Sequence, residues 1–376
     1  MKKKYDIVVF GATGFTGSLI CEYLNTHSDI KGTNWAIAGK NRSKVNALKE
    51  KYSVDGIIAE SFNKDSLDNM CSLTSIVISV VGPYDIYGEK LVDSCISNGT
   101  HYLDLTGEPS FVKKIYNKYS DLSKEARVII MHCCGFESIP PDLGAYLTVK
   151  ELDSENIDLK YYLKSKGKIS GGTWASFVNS LNKPTPIIDR NTKKSKKHKK
   201  LFYSKRFNRW ALLFPVIDKY IVMKSSRRFK DNYGKNFNFT EYILLPSLVS
   251  AILLVGGIVA ISLISKISYF KQLILSFIPS GNGPNEKERA SNWFTCTLIG
   301  SDKNSEVTTI IKGGDPGYGD TSKFISEMAL CILLQKDELL NSAGILTPVE
   351  CTGELMYDRL INAKISINTS KTAIKK

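Results

Sequence analysis

The 376-residue chain has few of the residue patterns that metal sites and disulfide frameworks require. Its 4 histidines are scattered, and none stands at metal-ligand spacing from a cysteine or a carboxylate. Its 8 cysteines include no C-x-x-C pair, and the adjacent Cys133 and Cys134 cannot easily bond to each other. Thiols scattered in this way are typical of a reducing compartment. The sequence therefore predicts neither a metal site nor a disulfide framework.

We also expect neither a leader nor a generally basic surface. The N-terminal segment, Met-Lys-Lys-Lys-Tyr-Asp, runs straight into an apolar run, so we expect no cleavable signal peptide. The formal net charge is +14, but 16 of the 51 Lys and Arg lie in residues 190–235, beside two of the 37 acids. Outside that segment, the chain has 35 basic and 35 acidic residues, so it is neutral there. Because no nucleic-acid motif accompanies the basic segment, we expect no nucleic-acid partner.

A strand, a glycine turn and a helix open the chain. Residues 5–10 are apolar and rich in β-branched side chains, as in a central parallel strand. In the G-x-x-G-x-x-G run that follows, Gly11 allows a tight turn, Gly14 lets the backbone approach a pyrophosphate, and Gly17 lets the next helix pack on the strand. That helix, over 16–26, would point its N-terminus at the phosphates. The pattern predicts a dinucleotide site, with a ligand-free turn as the alternative, formed by Gly11, Ala12, Thr13, Gly14, Phe15, Thr16 and Gly17.

The end of the second strand lacks the acidic residue that NAD-selective sites use to bond the ribose 2′-hydroxyl. The strand over 35–38 is followed instead by Gly39, Lys40, Asn41 and Arg42. Two of these are cations that could pair with a 2′-phosphate, and an arginine is the better fork. We therefore favour NADPH over NADH as the cofactor. The alternative is an ordinary basic helix start.

Strands and helices alternate from the N-terminus to residue 133. This alternation predicts an α/β fold with a doubly wound parallel sheet, a Rossmann domain over residues 1–150. Residues 151–376 are predicted to form a second, mixed α+β domain for the substrate or for dimerisation, with C-terminal helices that could pack back on the first domain. The strands of the first domain are expected at residues 5–10, 35–38, 56–59, 75–81, 101–105 and 128–132.

Two strand-end loops carry candidate catalytic residues, because such loops open on the ligand crevice. The loop after the fourth strand reads Gly82-Pro83-Tyr84, which places Gly82 and Pro83 beside the nicotinamide and makes Tyr84 a candidate proton donor. Asp104, at the end of the fifth strand, is a second candidate acid or base. Packing on the cofactor is the alternative for Tyr84, and loop hydrogen bonding or helix capping is the alternative for Asp104.

Seven motifs along the chain resemble, in order, those of one family: the saccharopine dehydrogenase-like oxidoreductases, which include the trans-acting enoyl reductases. The resemblance covers essentially the whole chain. It implies an NADP-type Rossmann domain, a mixed α+β second domain, a role in lipid or glycolipid metabolism, and association with lipid droplets or membranes. The motifs are residues 11–17, 38–42, 82–84, 102–108, 135–144, 314–321 and 344–348.

Three positions depart from the pattern of this family. Lys40 stands where the family usually has Arg, Glu137 where it has Asp, and Ala343 where it has the first of two paired glycines. None of these changes removes the cofactor site. No set of residues here justifies carrying over the amino-acid substrate of saccharopine dehydrogenase proper.

Residues 242–265 are 24 residues without a charge, and residues 267–278 are again apolar apart from Lys271 and Gln272. About 20 apolar residues suffice to cross the hydrocarbon core of a bilayer. A single span, a re-entrant or monotopic hairpin, and a helix buried in the second domain all fit this composition. We favour the hairpin for the apolar anchor 242–278, because a single span would divide the second domain between the two sides of a membrane.

The basic insertion, residues 190–235, also contains aromatic residues and lies just before the apolar anchor. Cations and aromatics beside an apolar anchor are typical of proteins that bind anionic membrane surfaces. A plain solvated insertion is the alternative.

The cofactor turn and the apolar and basic segments predict an NADPH-dependent oxidoreductase at a membrane surface. The resemblance implies that its substrate is a lipid-type enoyl or carbonyl compound and that it works on the cytosolic face of a membrane or lipid droplet. Its expected partners are the lipid-like substrate, the anionic surface and a second copy of the chain. A non-catalytic NADPH-binding scaffold protein of lipid droplets or membranes is the alternative, because no catalytic acid is evident.

Overall fold

The computed structural model describes residues 3–168, 170–181, 198–214, 217–279 and 281–374. Fourteen strands of these residues form two seven-stranded sheets. The strands are β1 (Tyr5–Phe10), β2 (Trp35–Gly39), β3 (Asp55–Ile58), β4 (Thr74–Ser79), β5 (His101–Asp104), β6 (Ile129–Met131), β7 (Asn156–Lys166), β8 (Leu201–Ser204), β9 (Arg209–Leu213), β10 (Asn236–Leu245), β11 (Trp293–Ser301), β12 (Ser305–Gly313), β13 (Gly344–Leu346) and β14 (Ser366–Ala373).

Sixteen α-helices of the described residues cover and connect the two sheets, with one 3₁₀ turn at Ser28–Ile30. The helices are α1 (Phe15–Thr26), α2 (Arg42–Tyr52), α3 (Lys64–Ser72), α4 (Tyr84–Tyr87), α5 (Glu89–Ser97), α6 (Pro109–Glu125), α7 (Ile139–Lys150), α8 (Gly171–Ser180), α9 (Ile217–Arg228), α10 (Lys230–Tyr233), α11 (Leu248–Ile264), α12 (Ser268–Ser276), α13 (Glu286–Ala290), α14 (Gly319–Leu334), α15 (Pro348–Thr352) and α16 (Leu355–Asn362).

The first sheet is parallel throughout, in the order β13-β6-β5-β4-β1-β2-β3. Its first six strands have the order 3-2-1-4-5-6 of doubly wound dinucleotide-binding domains. Ile7, Val8 and Val9 of the central strand are all buried, because helices cover both faces of the sheet. The predicted doubly wound parallel sheet is confirmed.

The seventh strand of this sheet comes from near the C-terminus. β13 pairs with β6, so the chain returns to the first sheet after six strands of the second, and β14 then completes the second sheet. Helix α14 lies against α1, and the buried carboxylate of Glu327 fixes that contact. It accepts a hydrogen bond from the Tyr23 hydroxyl (2.5 Å) and pairs with His27 Nε2 (2.8 Å) and Arg359 Nε (2.9 Å). This hydrogen-bonded and ion-paired contact therefore joins α14, which follows β12 of the second sheet, to α1, which follows β1 of the first.

The second sheet is mixed, in the order β14-β12-β11-β7-β10-β9-β8. β7 and β10 pair in parallel, and the other neighbours pair antiparallel. Helix α7 packs on β11 and β12, and its Gly144 permits the close approach, since a Cβ there would lie 2.6 Å from Leu298 Cδ1. A second, mixed sheet with helices packed on it agrees with the predicted mixed α+β character of the second half of the chain.

The uncharged segment, residues 242–265, contains the end of strand β10 and helix α11. Tyr242 to Leu245 complete β10 and pair with β7 and β9, so the prediction of an anchor beginning at residue 242 was wrong. The chain then enters α11 and α12, which with the residues between them form the apolar hairpin, residues 248–276. Ala251 is the buried residue of α11, so the alternative of a helix buried in the second domain was also wrong. Within the described ranges, no helix is both long and apolar enough to cross a membrane.

The basic insertion lies partly outside the described residues, which exclude 190–197 and 215–216. Its remaining part forms β8 and β9, an antiparallel pair at the edge of the second sheet, followed by α9 and α10. Helix α9 packs on α7 and β10.

Candidate functional site

A cleft of about 420 Å³ opens at the carboxyl ends of β1 to β4 and is closed on its other side by the N-terminus of α8. This is the place where doubly wound sheets bind ligands, because the strand-end loops separate there. The turn after β1 supplies most of its wall. The lining residues are Phe10, Gly11, Thr13, Gly14, Phe15, Thr16, Gly17, Gly39, Lys40, Ala59, Glu60, Ser61, Phe62, Val80, Val81, Gly82, Tyr87, Ser170, Gly172 and Gly281.

The three glycines of the turn have different roles. Gly11 has a φ of 93°, a conformation that favours glycine. A Cβ at Gly17 would collide with the carbonyl oxygen of Gly11 and lie 2.8 Å from Ala12 Cα, so Gly17 permits α1 to pack on the turn. A Cβ at Gly14 would meet only that same oxygen, at 3.3 Å, among the described residues. Gly14 therefore keeps space free in the cleft, which is the space a pyrophosphate needs at the N-terminus of α1.

Beyond β2, the structure separates the predicted 2′-phosphate residues. Gly39 and Lys40 line the cleft. The Asn41 side chain caps α2 by accepting a hydrogen bond from the backbone N–H of Lys44 (3.0 Å), and exposed Arg42 begins that helix outside the cleft lining. Lys40 is the one of these two cations that lines the cleft, and its pairing with a 2′-phosphate stays a prediction.

We expect Lys40→Ala to weaken NADPH binding about 10-fold or more and to leave NADH binding unchanged. A charge-assisted hydrogen bond contributes about 1.5–3 kcal/mol, and NADH lacks the phosphate that would receive it. Fluorescence titration with each nucleotide measures both dissociation constants. Lys44→Ala is the matched control, since Lys44 lies on α2 outside the cleft lining. A larger loss from Arg42→Ala than from Lys40→Ala would contradict the assignment.

Tyr84, one of the two catalytic candidates, lies outside the cleft lining and holds two strand-end loops together. Its hydroxyl donates to the carbonyl oxygen of Ser79 (3.2 Å) and accepts from the N–H of Leu105 (3.3 Å). Burial raises the pKa of this hydroxyl well above its usual range. The geometry gives Tyr84 a structural position, and proton donation and packing on the cofactor both stay predictions.

Asp104, the other candidate, also lies outside the cleft lining and organises the loop after β6. Its carboxylate accepts hydrogen bonds from the N–H groups of Thr106 (3.0 Å) and Cys133 (3.1 Å) and pairs with His132 Nδ1 (2.7 Å). Both Asp104 and His132 are buried. Asp104 therefore makes the loop hydrogen bonds that were given above as the alternative to a role as acid or base.

Of the predicted cofactor residues, Ala12, Asn41, Arg42 and Pro83 lie outside the cleft lining, and the other nine belong to it. Part of the cleft wall was not predicted from the sequence. It is formed by residues of the second domain, by the loop after β3, by Tyr87 of α4 and by residues at the ends of β1 and β4. The Gly171-Gly172 pair that opens α8 was the available signal for part of that wall. The lining residues that were not predicted are Phe10, Ala59, Glu60, Ser61, Phe62, Val80, Val81, Tyr87, Ser170, Gly172 and Gly281.

A group of buried carboxyls lies between the loop after β6 and the second sheet. Burial, together with the neighbouring Glu241, raises the pKa of Asp218 well above its usual range, and Ser138 Oγ donates to Asp218 Oδ1 (3.4 Å). Burial also raises the pKa of Glu137. Neither Asp218 nor Glu137 lines the cleft.

Comparisons with known proteins agree with the geometry of the cleft. Residues 7–131 match the family described as the saccharopine dehydrogenase NADP binding domain. The chain is 29% identical over 419 residues, 99% of each chain, to a Mycobacterium tuberculosis protein provisionally named a trans-acting enoyl reductase. It is 27% identical to a saccharopine dehydrogenase-like oxidoreductase of Bos taurus, over 92% of each chain. It is also 27% identical to a lipid droplet localized protein of Caenorhabditis elegans, over 96% of this chain and 97% of that one.

The fold is similar to that of apo saccharopine dehydrogenase (L-Glu forming) from Saccharomyces cerevisiae. The TM-score is 0.59 at 15% identity, over 98% of this chain and 100% of that chain. At this identity the similarity concerns the fold alone. The family match, the relatives along the whole chain and the cleft nonetheless agree on cofactor and class. Residues 7–131 match an NADP-binding domain, and the whole chain is similar to saccharopine dehydrogenase-like oxidoreductases, which is consistent with an NADP-binding oxidoreductase.

Proposed function

We propose that the protein is an NADPH-dependent reductase of a lipid-type enoyl or carbonyl substrate, and that it works on the cytosolic face of a membrane or lipid droplet. NADPH would supply the hydride. Gly14 would leave room for the pyrophosphate and Lys40 would hold the 2′-phosphate. The names of the M. tuberculosis and C. elegans relatives support the enoyl substrate and the lipid surface respectively.

The observation that carries the lipid part of the proposal is the apolar hairpin. The residues of the hairpin are mostly apolar, yet most of their large side chains are exposed to solvent. Exposed contiguous apolar surface of this kind marks an interaction site. A membrane surface or a droplet monolayer would cover it without requiring a span, as an interfacial helix does. The exposed side chains include Val249, Ile252, Leu253, Val259, Leu263 and Tyr269.

Cations lie beside this apolar face. Lys266 is exposed in the turn between α11 and α12, and Lys271 lies on α12. Each basic residue near an anionic leaflet adds about 1 kcal/mol of attraction. The charge therefore favours an anionic lipid surface as the occupant of the hairpin face over a second copy of this net basic chain.

The alternative proposal is a scaffold that binds NADPH without turnover at a lipid surface. One observation favours it: both predicted acid–base residues, Tyr84 and Asp104, are engaged in loop structure outside the cleft lining. Turnover distinguishes the two proposals, because both require NADPH binding and both require the hairpin.

A turnover assay tests the reductase proposal. The full chain is mixed with NADPH and with anionic vesicles that contain an α,β-unsaturated acyl lipid, and absorbance at 340 nm and the mass of the lipid are followed. We expect NADPH loss matched by a gain of two mass units in the lipid. Tight NADPH binding without oxidation, for a panel of enoyl and carbonyl lipids, would favour the scaffold.

A further inference from the structure

The segment that follows the apolar hairpin lies against the cofactor turn. Gly281 lines the cleft, and two residues later Gly283 packs so closely on Phe15 that a Cβ there would lie 2.6 Å from Phe15 Cζ. The Arg289 guanidinium lies 5.8 Å from the centroid of the same ring, and Arg289 Nη1 donates to the carbonyl oxygen of Pro284 (2.9 Å). We call residues 281–284 the exit loop. It touches the dinucleotide turn through backbone and ring contacts.

The exit loop and the hairpin are both fixed to the first half of α8. The N–H of Gly171 donates to the carbonyl oxygen of Asn282 (3.0 Å). A Cβ at Gly171 would lie 2.7 Å from the carbonyl oxygen of Ile278. The start of α8 therefore packs backbone to backbone on the segment just after the hairpin. Trp174 Nε1 donates to the carbonyl oxygen of Ile274 in α12 (2.7 Å). A displacement of α12 would therefore move α8 and the exit loop with it.

Helix α8 extends these contacts to the strand-end loops. Ser176 Oγ donates to Glu108 Oε1 (2.9 Å), in the loop after β5. The Tyr318 hydroxyl accepts a hydrogen bond from the N–H of Ser170, and its ring meets that of Phe15 edge-on at 5.0 Å. The hairpin, α8, the exit loop and the cofactor turn thus form one continuous set of packed and hydrogen-bonded groups.

We propose that the exit loop is a cofactor-positioning segment of the second domain, through which NADPH and a lipid surface strengthen each other's binding. The proposal rests on the proposed function, which supplies both ligands. NADPH in the cleft would lie against Gly281 and Phe15 and restrict the exit loop. A lipid surface would hold α12, from which that loop continues. Ordering by one ligand lowers the entropic cost for the other, and the coupling must be equal in both directions.

The first test measures that equality on the full chain. NADPH affinity is determined by fluorescence with and without vesicles of phosphatidylcholine and phosphatidylserine, and vesicle binding is determined by flotation with and without NADPH. We expect vesicles to tighten NADPH binding about 5-fold or more, and NADPH to tighten vesicle binding by the same factor.

The second test changes the contact itself, in the absence of vesicles. Gly283→Ala places a methyl group against the Phe15 ring, and we expect NADPH binding to weaken at least 5-fold. Gly107→Ala is the matched control, because Gly107 is exposed and a Cβ there meets nothing within 4 Å among the described residues. In a Phe15→Ala background, where the collision is gone, Gly283→Ala should lose most of its effect.

The outcomes separate this proposal from the function on which it rests. Unchanged NADPH affinity in Gly283→Ala, or an equal loss with and without the Phe15 ring, would overturn the positioning role. Vesicles that bind but leave NADPH affinity unchanged would overturn the coupling and leave the proposed function standing. Failure of the full chain to bind vesicles would overturn the lipid-surface part of the proposed function, and the coupling would fall with it.

Discussion

Gly14→Val is expected to abolish measurable NADPH binding while the protein stays folded. Gly14 has φ −84° and ψ 172°, an extended conformation that valine adopts readily, and of the residues that the structure describes a Cβ there meets only Gly11, at its carbonyl oxygen. The added side chain would occupy the space of the pyrophosphate. We expect at least 100-fold weaker binding, equivalent to about 3 kcal/mol. Nucleotide titration measures the affinity, and thermal unfolding should show a loss of no more than about 1 kcal/mol at this helix N-cap position.

Two further variants show whether the effect belongs to the cleft. Gly17→Ala should destabilise the whole domain, since its Cβ collides with the backbone of Gly11 and Ala12. Gly107→Val should change neither property, because Gly107 is exposed and a Cβ there meets nothing within 4 Å in the described chain. NADPH binding by Gly14→Val near that of the unsubstituted chain would place the cofactor elsewhere.

The parallel sheet and the cofactor turn could be predicted because their determinants are local. Residues 5–10 carry the continuous apolar pattern of a strand buried on both faces, and the three glycines follow at once. The absence of an acidic residue after β2 can also be read directly from the sequence. Which of Lys40 and Arg42 lines the cleft could not be read from it. That depends on where α2 begins, and the Asn41 cap sets that start.

The roles of the two catalytic candidates could not be predicted, since their partners are distant in sequence. Asp104 meets His132 and Cys133, 28 and 29 residues away. The wall of the cleft that α8 supplies is likewise brought there by contacts such as that between Ser176 and Glu108, 68 residues apart. Position at a strand end predicts nearness to the crevice, but not which side chains face it.

The start of the hairpin was misplaced because hydropathy alone does not separate a buried strand from an apolar helix. Tyr242 to Leu245 and the residues of α11 are equally uncharged. The boundary was nevertheless marked: Pro246 interrupts the strand, and Ser247 caps α11 through the backbone N–H of Ser250 (3.1 Å). Those two residues separate the part of the segment that belongs to the sheet from the part that is exposed.

Replacing two exposed leucines of the hairpin is expected to release the protein from lipid vesicles. Leu253 and Leu263 are 70% and 58% exposed on α11. Burying a leucine in an apolar phase contributes about 1.5–3 kcal/mol, and a glutamate adds a cost of charge burial and of repulsion from an anionic surface. The double variant Leu253→Glu/Leu263→Glu should therefore bind vesicles at least about 100-fold more weakly in a flotation assay.

This design avoids removing the segment, because deletion of residues 242–265 would take four residues of β10 out of the second sheet. The matched control is Leu122→Glu/Leu334→Glu, at leucines that are 48% and 47% exposed on α6 and at the end of α14. It makes the same chemical change with the same loss of net positive charge, so any general electrostatic effect appears in both variants. If both lose vesicle binding equally, charge rather than the hairpin holds the protein to lipid. If neither does, the exposed apolar face has another occupant, and an oligomer measured by light scattering that only the hairpin variant abolishes would identify it as a second copy of the chain.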